Sequence, residues 1–375
     1  MMERRKQVAK ITGIVNRGEA VGVIEALAEH GIVDAHLAVG RSDVLHDKKW
    51  LFGASERTVI DEDPIEILTF LVDPALEDAA LKLVLHAGRL GIAGRGMAFS
   101  ETVELLWAHE LCAENRTADF TVASDIPLLS DLALVCCIAQ RGEGDRMAMI
   151  SLDTGTCVPA ITFGQGTGVR DKMGLLRITI PAEKEVVHIV TDRHDAEGLM
   201  NLMIDVGDLD QPGKGFLYCA PLNRGIVNTK IKRGVTRHAA SIEQIVSVID
   251  ELKGGTKWRR RSGTAESEDA GKAYLRDLTD LTMLCNEGRG PELVKAAMAA
   301  GAAGATIGRQ RHVRPRQSPL SRLSPARECC NMIVSPEQTP AIGEALRQAG
   351  AFDDETHGQV YARPVPKAFT YIGKS

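Results

Sequence analysis

Two short turns carry residue types that bind anions. Gly94-Arg95-Gly96 and Gly213-Lys214-Gly215 each set a cationic side chain between two glycines. Glycine tolerates positive φ, so neighbouring amides can converge on one anion while Arg or Lys adds charge. The plain alternative is a tight turn leading into a strand, and recurrence of the pattern weighs against it. Gly164-Gln165-Gly166-Thr167-Gly168-Val169 suggests a dinucleotide loop, but Val169 replaces the third glycine and no helix follows, so that reading is rejected.

Other chemistry is thinner. No G-x-x-x-x-G-K-[ST], H-E-x-x-H or G-x-S-x-G motif occurs, which leaves an enzyme without a nucleophile; none is expected. His188 and His194 are the closest histidines flanking one element, and a metal there would need a third ligand. His188 alone reads as a core or edge residue, and no metal is expected. The eight cysteines include no C-x-x-C pair and sit mostly in apolar runs, as buried structural thiols do. Arg309, Arg311, His312, Arg314, Arg316, Arg322 and Arg327 follow one another without an acidic residue until Glu328. Such a patch offers planar bidentate donors to phosphate, RNA or an acidic protein surface; the alternative is a solvated loop.

Composition bounds these readings. A chain of 375 residues calls for two or three domains, and 44% hydrophobic with 25% charged residues is ordinary for a globular protein. With only 4% aromatics, the cores must be aliphatic. A net charge of −5 gives no general attraction to nucleic acid or anionic membrane. The longest apolar run, Leu132 to Ala139, is far below the roughly 20 residues that span a bilayer, and no secretory signal is visible at the N-terminus. A cytoplasmic location follows as the expectation.

The elements that must position these residues recur three times. Val8 to Val15 alternates as a strand; Arg17 to His30 places Val21, Ile24, Leu27 and Ala28 at helical spacing, with Gly31 as its stop. A strand from Val33 to Gly40, a loop of about twenty residues, a strand from Ile65 to Asp73 and a helix from Glu77 to Ala87 follow. The same order returns from Leu132 and again from Leu281. Each unit reads β-α-β-β-α-β, which predicts three tandem ferredoxin-like domains. The boundaries are 6–106 for the first, a connector at 107–128, 129–234 for the second, a helical and flexible linker at 235–273, and 274–375 for the third. A four-stranded sheet leaves a face and two edges bare, so three units would close into an intramolecular pseudo-trimer.

The chain resembles the PII nitrogen-regulatory signal-transduction proteins and their PII-like relatives, over about 300 residues. Phe163-Gly164-Gln165-Gly166, Ile178 to Val190, and Asp205 to Phe216 carry the resemblance best, and Ala303 to Arg309 is similar to the second strand of the PII-like branch. The resemblance implies a regulatory protein of the α+β class that binds ATP, ADP or another small anionic effector in clefts between repeats. It also implies signalling through long loops to a regulated protein partner. The candidate ligand residues are then Gly94, Arg95, Gly96, Gly164, Gly166, Gly213, Lys214, Gly215, Gly308 and Arg309. The candidate partner-binding loop carries Arg311, Arg314, Arg316, Arg322 and Arg327. Neither nucleic acid nor membrane insertion is expected, and the pseudo-trimer could be monomeric or pair into a dimer. The competing reading is a ligand-free assembly module that docks an acidic partner or nucleic acid through its Arg-rich third loop.

Overall fold

Alternation along the first strand decides which way the later elements face. The computed structural model describes residues 2–48, 57–109, 120–122, 125–168, 183–233, 272–313 and 325–372. In β1 (Met2–Asn16), Ala9, Ile11 and Val15 turn to one side, and Val8 and Ile14 to the other. Helices α1 (Ala20–Glu29) and α2 (Glu77–Ala87) cover the first side with Val23, Leu27, Leu81 and Val84. α2 lies so close that a Cβ at Gly13 would meet the Val84 Cγ1 at 2.9 Å. The buried stripe of α1 is Ala20, Val23 and Leu27, whereas Val21, expected on it, is 55% exposed.

β2 (Ala35–Lys48), β3 (Arg57–Val72) and β4 (Gly96–Ala108) complete the first third, in the hydrogen-bonded order β2-β3-β1-β4. The second third contains β5 (Leu129–Ser130), β6 (Leu132–Gln140), α3 (Gly144–Thr154), β7 (Ala160–Gly168), β8 (Glu183–Asp192), α4 (Ala196–Gly207) and β9 (Gly215–Pro221). Two short strands follow, β10 (Arg224–Ile226) and β11 (Lys232–Arg233). The last third contains β12 (Leu275–Asn286), α5 (Gly290–Ala299), β13 (Gly304–Val313), β14 (Ala326–Val334), α6 (Thr339–Gln348) and β15 (Gln359–Thr370). No helix among the described residues is long and apolar enough to cross a membrane.

The strands do not form three sheets. β13 pairs with β7 and with β2, β2 pairs with β7, and β15 joins β4 to β9. All fifteen strands among the described residues therefore belong to one sheet, antiparallel apart from the short β11–β2 pairing, that closes on itself into a β-barrel. This corrects the expectation of three ferredoxin-like domains forming a pseudo-trimer: strand order recurs, but the architectural unit is the closed sheet. The PII-like and nitrogen-regulation assignments rested on that domain architecture and fall with it. The physical reason is that an unpaired edge exposes a row of backbone donors and acceptors, and hydrogen bonding between thirds satisfies them directly.

The helices pack on one face of the sheet, over three aliphatic clusters. Two further clusters on the opposite face contain no helical residue and fill the inside, among them Phe99, Leu134, Tyr218 and Val365, and Leu105, Leu284 and Tyr361. Across this apolar interior runs a chain of alternating charges. The Lys10 Nζ lies 2.8 Å from the Glu101 Oε1, the Glu101 Oε2 lies 2.6 Å from the Arg363 Nη1, and the Arg363 Nη2 lies 2.8 Å from the Asp280 Oδ2. Arg363 also donates to the Tyr218 hydroxyl at 3.3 Å. Glu101 and Asp280 are 1% and 0% exposed, so these charges survive burial only because each has partners of opposite sign. Burial alone would push the Glu101 carboxyl up, but Arg363 and Lys10 outweigh it and hold it at about 2.

Glu101→Gln leaves Lys10 and Arg363 short of a counter-charge in the core, and a loss of about 3–5 kcal/mol in unfolding free energy is expected from urea denaturation. Because the folded carboxyl sits below its unfolded value, its stabilisation is complete above pH about 4.5 and is lost as pH falls toward about 2. The Glu101→Gln protein should lack that part of the acid limb.

Candidate functional site

Helix N-termini are natural anion sites, and here three equivalent loops are already filled. Glu66, Glu185 and Glu328 occupy the same register, opposite Val15, Ala139 and Cys285. Glu66 accepts from the Gly18 amide at 3.0 Å, Glu185 from Gly142 and Gly144 at 3.0 and 2.7 Å, and Glu328 from Gly290 at 2.7 Å. The α3 and α5 starts are thus capped by the chain's own carboxylates.

The three turns before the fourth strands differ from one another. At the first, the Gly94 amide donates to the Asn228 Oδ1 at 3.2 Å, the Lys230 side chain lies against Gly94, and Arg95 pairs with Glu19 at 3.0 Å. Gly94 and Gly96 both have positive φ, as the turn requires, but the amide and the cation there are engaged within the chain. At the third, His357 takes the middle position; its ring lies edge-on to His109 at 4.6 Å and its carbonyl accepts from Arg327 at 2.8 Å. At the second, Gly213 has φ +76° and its carbonyl accepts from the Gln140 Nε2 at 3.0 Å. Lys214 forms no ion pair among the described residues.

That second turn opens onto a row of aligned positions. Gln140 is opposite Lys184, Lys184 is opposite Gly164, and Gly164 is opposite Gly308. The Lys184 side chain lies over Gly166, where a Cβ would meet its Cε at 2.7 Å. A Cβ at Gly164 would meet the Thr306 Cγ2 at 2.9 Å, so glycine permits the close approach of β7 and β13. The fold thus sets Gly164, Gly166 and Gly308 at one junction, with Gly213, Lys214 and Gly215 at the end of the same row. Arg309 follows Gly308 with an 82% exposed side chain, 3.6 Å from Glu287. Gly94, Arg95 and Gly96 lie in the first third, away from this row.

Sequence reading missed Gln140 and Lys184. Lys184 stands in Pro181-Ala-Glu-Lys-Glu185 at the entry to a strand, and only strand pairing reveals what it faces. The Arg-rich patch also divides. Arg311 is exposed on β13, Arg314, Arg316 and Arg322 lie outside the described residues, and Arg327 is 1% exposed and donates to the Asn286 Oδ1 at 2.6 Å. Arg327 therefore ties β14 to the loop before β15 and does not face a partner. The cysteines at 136, 137, 157, 285, 329 and 330 are buried and unbridged, and burial pushes the Cys136 thiol up to about 11.

The β2–β7 junction is acidic. Arg41 pairs with Asp43 at 2.5 Å and with Asp145, and lies 3.6 and 3.7 Å from Glu62 and Glu185. The Asp43 side chain is wholly buried and its Oδ2 has no hydrogen-bond partner among the described residues. Burial raises its carboxyl to about 6 despite Arg41, with Asp145 and Glu62 adding to the rise. Four carboxylates around one guanidinium make this junction unsuited to an anion.

No protein-family model matches the chain, and no curated protein does. Among solved structures, an anthrone oxidase-like protein is similar over 66% of this chain and 98% of its own length, at 10% identity and a TM-score of 0.17; a likeness that low carries no argument.

Since the Asp43 carboxyl binds its proton more tightly when folded than when unfolded, its ionisation should cost stability as pH rises from about 3.8 through about 6. Carboxyl-carbon NMR should find Asp43 titrating near pH 6, and Asp43→Asn should remove that segment of the stability profile. A midpoint in the ordinary aspartate range would contradict the burial argument.

Proposed function

We propose that this protein is a non-catalytic regulatory protein that holds a small anionic metabolite or an adenine nucleotide beside the Gly213-Lys214-Gly215 turn. One observation carries the reading. The central cation of this turn, Lys214, forms no ion pair among the described residues, whereas Arg95 of the first turn pairs with Glu19, and the Lys184 side chain lies over Gly166 of β7 on the aligned row. Glycines leave the backbone open to close approach, and two ammonium groups supply charge complementary to phosphate or carboxylate. The self-capped helix starts and the acidic β2–β7 junction support placing the anion here and not elsewhere.

In this reading Lys214 and Lys184 neutralise the ligand, and Gln140 fixes the turn through the Gly213 carbonyl. In the same reading the bound state is passed to a protein partner through the connection between β7 and β8, since Lys184 is the second residue of β8. A ligand shifts such a segment only by binding one arrangement of it better than another.

Thermal unfolding with and without ATP, ADP, AMP and 2-oxoglutarate tests this. A ligand at a hundredfold excess over its dissociation constant should add about 2.7 kcal/mol, seen as a raised midpoint. Lys214→Glu should abolish the shift while leaving the ligand-free midpoint within a degree or two, roughly the effect of a surface substitution. No shift with any of these ligands, or an undiminished shift in Lys214→Glu, would refute the assignment.

A further inference from the structure

The second strands of the three thirds meet pairwise in one register, and one equivalent pair in each meeting differs. It is Ser42 opposite Ala160 between β2 and β7, Gly166 opposite Thr306 between β7 and β13, and His312 opposite His36 between β13 and β2. Two residues before Ala160, Thr306 and His36 stand Val158, Gly304 and Asp34. At these equivalent positions one junction of three carries an aspartate and two histidines, and the other two carry neither imidazole nor carboxylate.

These three side chains converge. Asp34, His36 and His312 are 8%, 6% and 3% exposed. The His312 Nε2 lies 2.8 Å from the Asp34 Oδ1, the two imidazole centroids are 5.2 Å apart, and one ligand atom from each residue falls within 4.8 Å of the others. The His36 Nε2 and the His312 Nδ1 are buried without a hydrogen-bond partner among the described residues. Leaving such a group unsatisfied costs about 1–3 kcal/mol, so orphaned nitrogens beside a carboxylate call for an explanation. A small void adjoins Asp34 and His36, lined also by Lys10, Thr69, Gln359 and Tyr361.

We propose that Asp34, His36 and His312 bind one divalent transition ion of the zinc class, which joins the first and last thirds of the barrel. Two imidazoles and one carboxylate are a familiar donor set for such ions, and the void leaves a fourth position for water. Imidazole nitrogens suit an ion of the zinc class, whereas hard ions such as Mg2+ or Ca2+ take oxygen donors. The second cluster of this kind, His109, Asp354 and His357, includes a 94% exposed carboxylate and serves as the control. This site stands apart from the anion site proposed above.

The test uses the full-length protein, stripped with chelator, dialysed and titrated with Zn2+ by calorimetry, with bound metal counted by elemental analysis. One ion per chain is expected, with a raised unfolding midpoint. Asp34→Asn and His36→Gln should each lower affinity at least tenfold or abolish binding, and His357→Asn should leave it unchanged. X-ray absorption of the zinc-loaded wild-type protein needs no variant to fold, and should show nitrogen and oxygen ligands with two imidazoles. A sulfur shell, binding lost in His357→Asn but kept in Asp34→Asn and His36→Gln, or no binding by the wild-type protein, would overturn the proposal.

Discussion

Strand edges are the constraint on which the rest of this molecule depends. Within each third, the second and fourth strands would lie at the borders of a four-stranded sheet, with half their backbone groups unpaired. The chain pairs β2, β7 and β13 with one another and joins β4 to β9 through β15. Close approach at these junctions calls for small residues: a Cβ at Gly40 would meet the Ile161 carbonyl oxygen at 2.4 Å, and one at Gly304 the Thr167 carbonyl oxygen at 2.3 Å. Glycines that resemble a binding loop along the sequence are therefore also seams of the barrel.

Closure creates an interior that no third could sustain alone. Lys10 opposite Glu101 in the first third and Asp280 opposite Arg363 in the last would each be a lone ion pair on an exposed sheet face. Brought together they alternate in sign, and the corresponding pair of the second third, Leu134 opposite Ala220, is apolar. Three copies of one strand order have diverged so that two supply complementary charges and the third supplies none. Such a network specifies which faces meet, since any other pairing would strand a buried charge.

The same divergence separates the junctions by chemistry. Between β2 and β7 lies a guanidinium among carboxylates, between β7 and β13 lie glycines beneath a lysine, and between β13 and β2 lie two imidazoles and a carboxylate. Equivalent backbones with unlike side chains allow one chain to hold different ligands at different seams.

The residues alone determined a good deal. Alternation and helical spacing located the strands and helices, the recurrence showed three copies of one order, and Gly213-Lys214-Gly215 was legible as a turn able to meet an anion. Tertiary structure decided the rest. Periodicity reports which faces of a strand are apolar but not which distant strand satisfies its hydrogen bonds, so three domains were expected where one closed sheet exists. For the same reason Lys184 could not be seen to lie over Gly166, nor Arg327 to be a buried tie. Asp34 and His36 stand 276 residues or more from His312 in the chain, and only the pairing of β2 with β13 brings their nitrogen and oxygen atoms to a common point.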